Sequence, residues 1–221
     1  MEDLNTYLQP TEFLDFNKKS VSRKAFEITD GLTTDKEKAI ALFYWVRDKI
    51  KYNMYTYDPS NKSNLKASVT LHRGNGFCMS KAILLSTFAR AVGIPARIHM
   101  VDIINHKIPN WIEELMGTRT FHCHGYSELY IDGKWSKLTP VFDKKTVIKA
   151  GYEPLVEYDG ENDALLAQYD KEGNLFVEYT EDHGIYTDVP LEKIRDIFAK
   201  NYGKFRDKEK FQKLVKLKRE K

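Results

Sequence analysis

Gly74-Asn75-Gly76-Phe77-Cys78 runs directly into a stretch in which Ala82, Leu85, Ala89 and Val92 fall on one helical face, closed by Gly93 and Pro95. Apolar residues at that spacing predict a helix, and a glycine followed by a proline predicts its end. The two glycines ahead of the thiol let the backbone turn sharply, which places Cys78 in the first helical turn. There the unpaired N–H groups and the positive end of the helix dipole favour the thiolate, the form in which sulfur is a nucleophile. The same N–H groups can hold an oxyanion.

A nucleophilic thiol needs a base. Downstream, Phe121 to Ile131, Asp132-Gly133 and Lys134 to Thr139 predict an antiparallel hairpin, because both residues of an Asp-Gly turn accept φ > 0. Its first strand carries His122 and His124. By strand alternation His124, Tyr126 and Glu128 share one face and Cys123, Gly125 and Ser127 the other. Cys123 therefore cannot project beside His124, which leaves Cys78 as the thiol to pair with it. Cys123 reads as a small buried side chain. A zinc site from Cys78, His122 and His124 has poor spacing and no second ligand pair, so no metal is expected and His122 reads as a site wall or surface residue. His72, His99, His106 and His183 have no partner that spacing names.

These residues resemble the transglutaminase-like proteins of the papain-like cysteine hydrolase class. One block is Gly74 to Cys78 running through Ala89-Arg90-Ala91-Val92-Gly93-Ile94-Pro95-Ala96-Arg97; the other is His124-Gly125-Tyr126-Ser127-Glu128-Leu129-Tyr130 with Asp132-Gly133-Lys134-Trp135. Together they span about Leu71 to Asp143. The resemblance implies an α+β, papain/transglutaminase-like fold with the nucleophile helix packed on an antiparallel sheet. It further implies Cys78 as nucleophile and His124 as general base and acid. In the family an Asp four positions after the hairpin Trp orients the His, whereas here Trp135 is followed at that distance by Thr139. A Thr hydroxyl accepts a hydrogen bond from imidazole but brings no charge to an imidazolium. Asp143 is the alternative orienter and Glu128 the third. The family also places the region around Tyr52 and Tyr55 near the cleft, which makes these two substrate-lining candidates.

Outward from the motif core, Thr34-Asp35-Lys36-Glu37 has capping-box spacing, and Ala39, Leu42, Phe43, Val46 and Ile50 predict a core helix through to about Tyr52. Asp58 to Asn64 reads as a long loop. Ala96 to Ile104 and Asn174 to Tyr179 read as strands, and Glu181-Asp182-His183-Gly184 as a turn. Pro190 opens a helix carrying Leu191, Ile194, Phe198 and Tyr202, with Gly203 as its stop. Residues 1–199 are expected to form a single domain. The ten Lys or Arg against three Asp or Glu in residues 200–221 form a basic tail that reads as an exposed helix.

The chain of 221 residues is 42% hydrophobic and 30% charged, an ordinary globular composition that excludes a disordered or collagen-like chain. No apolar run reaches the roughly 18 to 20 residues of a bilayer span, and the first residues carry no signal-peptide core. With only Cys78 and Cys123 present, the chain reads as a free-thiol protein of a reducing compartment, expected in the cytoplasm. The net charge of +3 becomes −4 once the tail is set aside, which argues against a nucleic-acid binder. No nucleotide, flavin or metal motif is present, so no cofactor is expected. The expected activity is hydrolysis of an amide bond in a peptide or protein through a thioester. Acyl transfer to an amine and a catalytically inactive binding module are the alternatives. Tyr52 to Ser68 and Asn105 to Thr120 are the segments expected to choose the substrate.

Overall fold

The computed structural model describes residues 3–56 and 61–202. Its helices are α1 (Lys19–Ile28), α2 (Asp35–Lys49), α3 (Ala67–Arg73), α4 (Cys78–Ala91), α5 (Asn110–Met116), α6 (Lys144–Ala150) and α7 (Leu191–Asn201). Its strands are β1 (Lys51–Tyr52), β2 (Asn75–Gly76), β3 (Ala96–Asn105), β4 (Thr120–Ile131), β5 (Lys134–Leu138) and β6 (Val177–Tyr186). The local signals act as expected at α2 and at the hairpin. The Thr34 hydroxyl accepts from the Glu37 N–H at 3.2 Å while the Glu37 carboxylate accepts from the Thr34 N–H at 3.0 Å, a complete capping box. Asp132 and Gly133 take φ of 51° and 83°, so the two-residue turn matches the strand twist of β4 and β5.

β5, β4, β3 and β6 form an antiparallel sheet in that order. Val101 pairs with His124 and Ile103 with Phe121, so Asp102 alone faces both His122 and Cys123. Cys123 absorbs the extra residue at φ 59°. The bulge sits immediately ahead of His124, so the expected alternation holds only from His124 onward. Gly125 and Ser127 face α4, where the Ser127 hydroxyl donates to the Ala82 carbonyl at 2.8 Å. His124 and Tyr126 lie against Tyr179 of β6.

α4 is buried from Met79 to Arg90, including five polar side chains that a buried helix must satisfy. Each does so on a backbone carbonyl: Ser80 on Phe77, Ser86 on Arg97, Thr87 on Ile83, Lys81 on Arg47 and Ile50, Arg90 on Gln9, Ala96 and Thr187. The apolar remainder, with Ile83, Leu84, Leu85 and Phe88 wholly buried, packs into the principal core with α1, α2 and the sheet. Ile108, Ile112, Met116 and Tyr202 form a separate smaller cluster.

Several elements differ from expectation. α2 ends at Lys49, and Lys51 and Tyr52 instead pair in parallel with Asn75 and Gly76. The sixth strand begins at Val177, and Glu181 to Gly184 are strand rather than turn. Two register shifts against β3 and a φ of 97° at Gly184 let this charged, glycine-bearing segment stay paired. Residues 203–221, with the expected helix stop and almost all of the basic tail, lie outside the described residues, as do three of the loop, 58–60. Among the described residues no helix is long and apolar enough to cross a membrane.

Candidate active site

Cys78 occupies the first position of α4 because the chain ahead of it is pinned on both sides. α3 ends in Gly74 at φ 68°, and β2 then runs beside β1, with the Asn53 N–H donating to the Gly76 carbonyl at 2.9 Å. Gly76 passes so close to Ser80 that a Cβ there would strike the hydroxyl. On the other side α4 rests on β4 at Gly125, where a Cβ would lie 2.6 Å from the Met79 sulfur and 3.1 Å from its Cα. This glycine lets the helix start settle onto the strand at the residue next to His124. The Gly125 N–H consequently points at the Cys78 sulfur, as do those of Met79 and Cys78 itself.

Cys78 and His124 line one small cleft, part of it open to solvent. Burial pushes the Cys78 thiol up to about 11, against the pull of its three N–H neighbours. Burial likewise pushes His124 down to about 4. Desolvation thus outweighs the helix terminus, and the resting pair is a neutral thiol beside a neutral imidazole rather than the expected thiolate.

His124 Nε2 and Thr139 Oγ1 are both buried without a hydrogen bond. Tyr179 stands beside both: its ring lies edge-on to the imidazole at 6.3 Å between centroids, and its hydroxyl lies by Thr139 and accepts from the Leu166 N–H at 3.1 Å. Thr139 itself is held by its N–H to the Ala164 carbonyl at 2.8 Å. Tyr179 was invisible to sequence reasoning because it reaches the site from a strand beyond β3.

The profile of the transglutaminase-like superfamily matches residues 22–140, more than half the chain and inclusive of Cys78, His124 and Thr139. The chain belongs to the transglutaminase-like superfamily. Three solved structures are among those to which the chain is similar. One, a candidate cysteine protease from Cytophaga hutchinsonii, has 17% identity over 84% of this chain and a TM-score of 0.49. The second, a candidate protease from Parabacteroides distasonis, has 16% identity over 62% and a TM-score of 0.40, and the third, described as a TGase, 16% over 57% and 0.39. The chain covers 55%, 25% and 31% of their respective lengths. No curated protein matches it.

Among the described residues, none of the three candidate orienters makes a hydrogen bond to His124. Asp143 caps α6, accepting from the Thr146 N–H and hydroxyl and from the Tyr52 N–H at 3.0 Å, and makes no hydrogen bond to His124. Glu128 is bound by Arg97 at 2.6 Å and His99 at 2.7 Å. The Thr139 hydroxyl likewise makes no hydrogen bond to His124. Tyr52 lines the cleft, whereas Tyr55, in a short turn at Met54–Thr56, does not. His122 turns away onto Asp102 at 2.6 Å, so it is no wall of this cleft. Asp102 also accepts from His183 at 2.6 Å and the Cys123 N–H at 2.9 Å. Burial pushes this carboxyl up, but those donors win and hold it below its ordinary value. Asp102, Glu181 and His183 could group around a metal ion, but three N–H donors already occupy the Asp102 oxygens.

Proposed function

We propose that the chain is a cysteine-dependent hydrolase that cleaves an amide or peptide bond through a thioester on Cys78. The observation that carries this reading is the convergence of Cys78, at a helix N-terminus, with His124 on a single cleft, across a glycine that no side chain could replace without displacing one of them. His124 Nδ1 or Nε2 takes the thiol proton as sulfur attacks the carbonyl carbon, and returns it to the departing amine. A neutral resting pair suits this route, because the imidazole is free to act as base at neutral pH. The N–H groups of Cys78, Met79 and Gly125 that surround the sulfur are the donors closest to a developing oxyanion. A water activated by the same imidazole then resolves the thioester. Thr139, in the position of the family's Asp, leaves the imidazolium without a countercharge, so a modest rate is expected.

The test is product analysis on acyl p-nitroanilides and peptides with and without an added primary amine. Free acid as the product in both, lost in Cys78→Ala, is expected. An amine adduct as the main product would convert the reading to acyl transfer. Turnover unchanged in Cys78→Ala would remove it.

A further inference from the structure

We infer that the cleft accepts an acyl donor with a branched aliphatic or aromatic side chain and discriminates against an isosteric polar one. This rests on the hydrolase reading of Cys78 and names the substrate class of that site. The cleft is the seam between the two hydrophobic clusters. Val141, Phe142 and Tyr152 belong to the principal core, while Ile108 and Ile112 belong to the smaller cluster around α5, yet all five line the same opening as Cys78 and His124. One side is an aromatic series, with Tyr52 and Phe142 centroids 4.8 Å apart and Phe142 and Tyr152 4.9 Å apart. Edge-on and tilted ring packing of this kind, at 70° and 48° between planes, holds a wall of fixed shape. The other side carries Ile108 and Ile112 with Phe121 packed against them.

No charged side chain lines the cleft among the described residues. The cleft's polar groups besides Cys78 and His124 are the hydroxyls of Tyr52 and Tyr152 and the carboxamide of Asn105, whose Oδ1 already accepts from the Lys107 N–H at 3.0 Å. A substrate side chain ending in a carboxamide or carboxylate would lose its water with little to replace it, whereas an apolar one would bury against apolar walls. A cleft with convergent chemistry at one end and apolar walls elsewhere selects by shape and hydrophobicity. Of the lining residues, Tyr52, Ile108 and Ile112 lie within the two segments expected from the sequence to choose the substrate.

The experiment titrates the full-length Cys78→Ala protein with 4-methylpentanamide and with succinamide, which differ by an isopropyl group against a carboxamide of the same shape. Binding is followed by NMR of the backbone amides. The expected result is at least tenfold tighter binding of 4-methylpentanamide, with shifts centred on Ile108, Ile112 and Phe142. Ile112→Asn and, separately, Ile108→Thr should each weaken it at least fivefold with the rest of the spectrum unchanged. Equal affinity for the two amides, shifts centred elsewhere, or no binding of either would overturn the inference. Because the binding protein lacks the thiol, failure of turnover in the native protein would overturn the hydrolase reading while leaving this result standing.

Discussion

Cys78 and His124 carry opposite displacements from one cause. Burial raises the thiol to about 11 and lowers the imidazole to about 4, so between those values both are neutral. Catalysis that needs a neutral imidazole should therefore hold down to the neighbourhood of pH 4 and fall below it. Thr139→Asp would place a carboxylate where the family carries one and favour the imidazolium, so the acid limb of the rate profile should move up by about one to two units. An unmoved limb would show that residue 139 does not sense the imidazole. The same displacement bears on stability. His124 titrates at about 4 in the folded chain against an ordinary 6.5, so its contribution is complete above pH 6.5 and is lost as pH falls toward 4. Urea unfolding at pH 7 and pH 4.5 should show the native protein losing about 2 kcal/mol more than His124→Asn over that interval. At this scale the sequence was readable for the two residues that share the cleft, Cys78 and His124, because glycines, a helix start and a hairpin strand announce them locally. Tyr179 and the fates of Asp143 and Glu128 were not, since each depends on a partner far along the chain.

α4 and β4 meet at Gly125, and no other pair of elements bears so directly on the site. Gly125→Ala puts a Cβ into Met79, and the Cα of Met79 at 3.1 Å leaves no side-chain rotation that relieves it fully. Activity should drop at least tenfold while the far-ultraviolet circular dichroism is kept; undiminished activity would mean that the helix start is not held by this contact. The capping box offers a control, because Thr34→Ala should cost about 1 kcal/mol of stability with catalysis intact. Elements with strong local chemistry, α2, α4 and the β4–β5 hairpin, were legible. α3, α5 and α6, seven residues each, were not, because two turns of helix carry too little periodicity to register, although each ends on a glycine in the left-handed region. β6 was misplaced because its bulges put charged residues and Gly184 inside a paired strand.

Across the whole molecule, α4 is tied to its surroundings by side chains that reach carbonyls distant in sequence. The Arg90 guanidinium donates to Gln9 and Thr187 at 2.7 Å each and to Ala96 at 2.8 Å, joining the N-terminal turn, the start of β3 and the chain after β6. Arg90→Met leaves three carbonyls without a partner, and a loss of about 2 to 4 kcal/mol in denaturant unfolding is expected with the pH profile unchanged. Lys81 acts similarly, closing the end of α2 through the carbonyls of Arg47 and Ile50, and burial lowers it to about 7. Such ties fix the helix that presents the thiol to separate parts of the chain. They were not readable in advance, since a buried Lys or Arg looks in sequence like any surface charge.

The most direct test of the proposed chemistry is to mix the protein with the p-nitrophenyl ester of 4-methylpentanoic acid, quench in acid within the first turnover and map the acylated peptide by mass spectrometry. The account predicts a single acyl group on the peptide bearing Cys78, released by hydroxylamine, absent in Cys78→Ala and persisting far longer in His124→Ala. Acylation spread over lysines, or undiminished in Cys78→Ala, would contradict it.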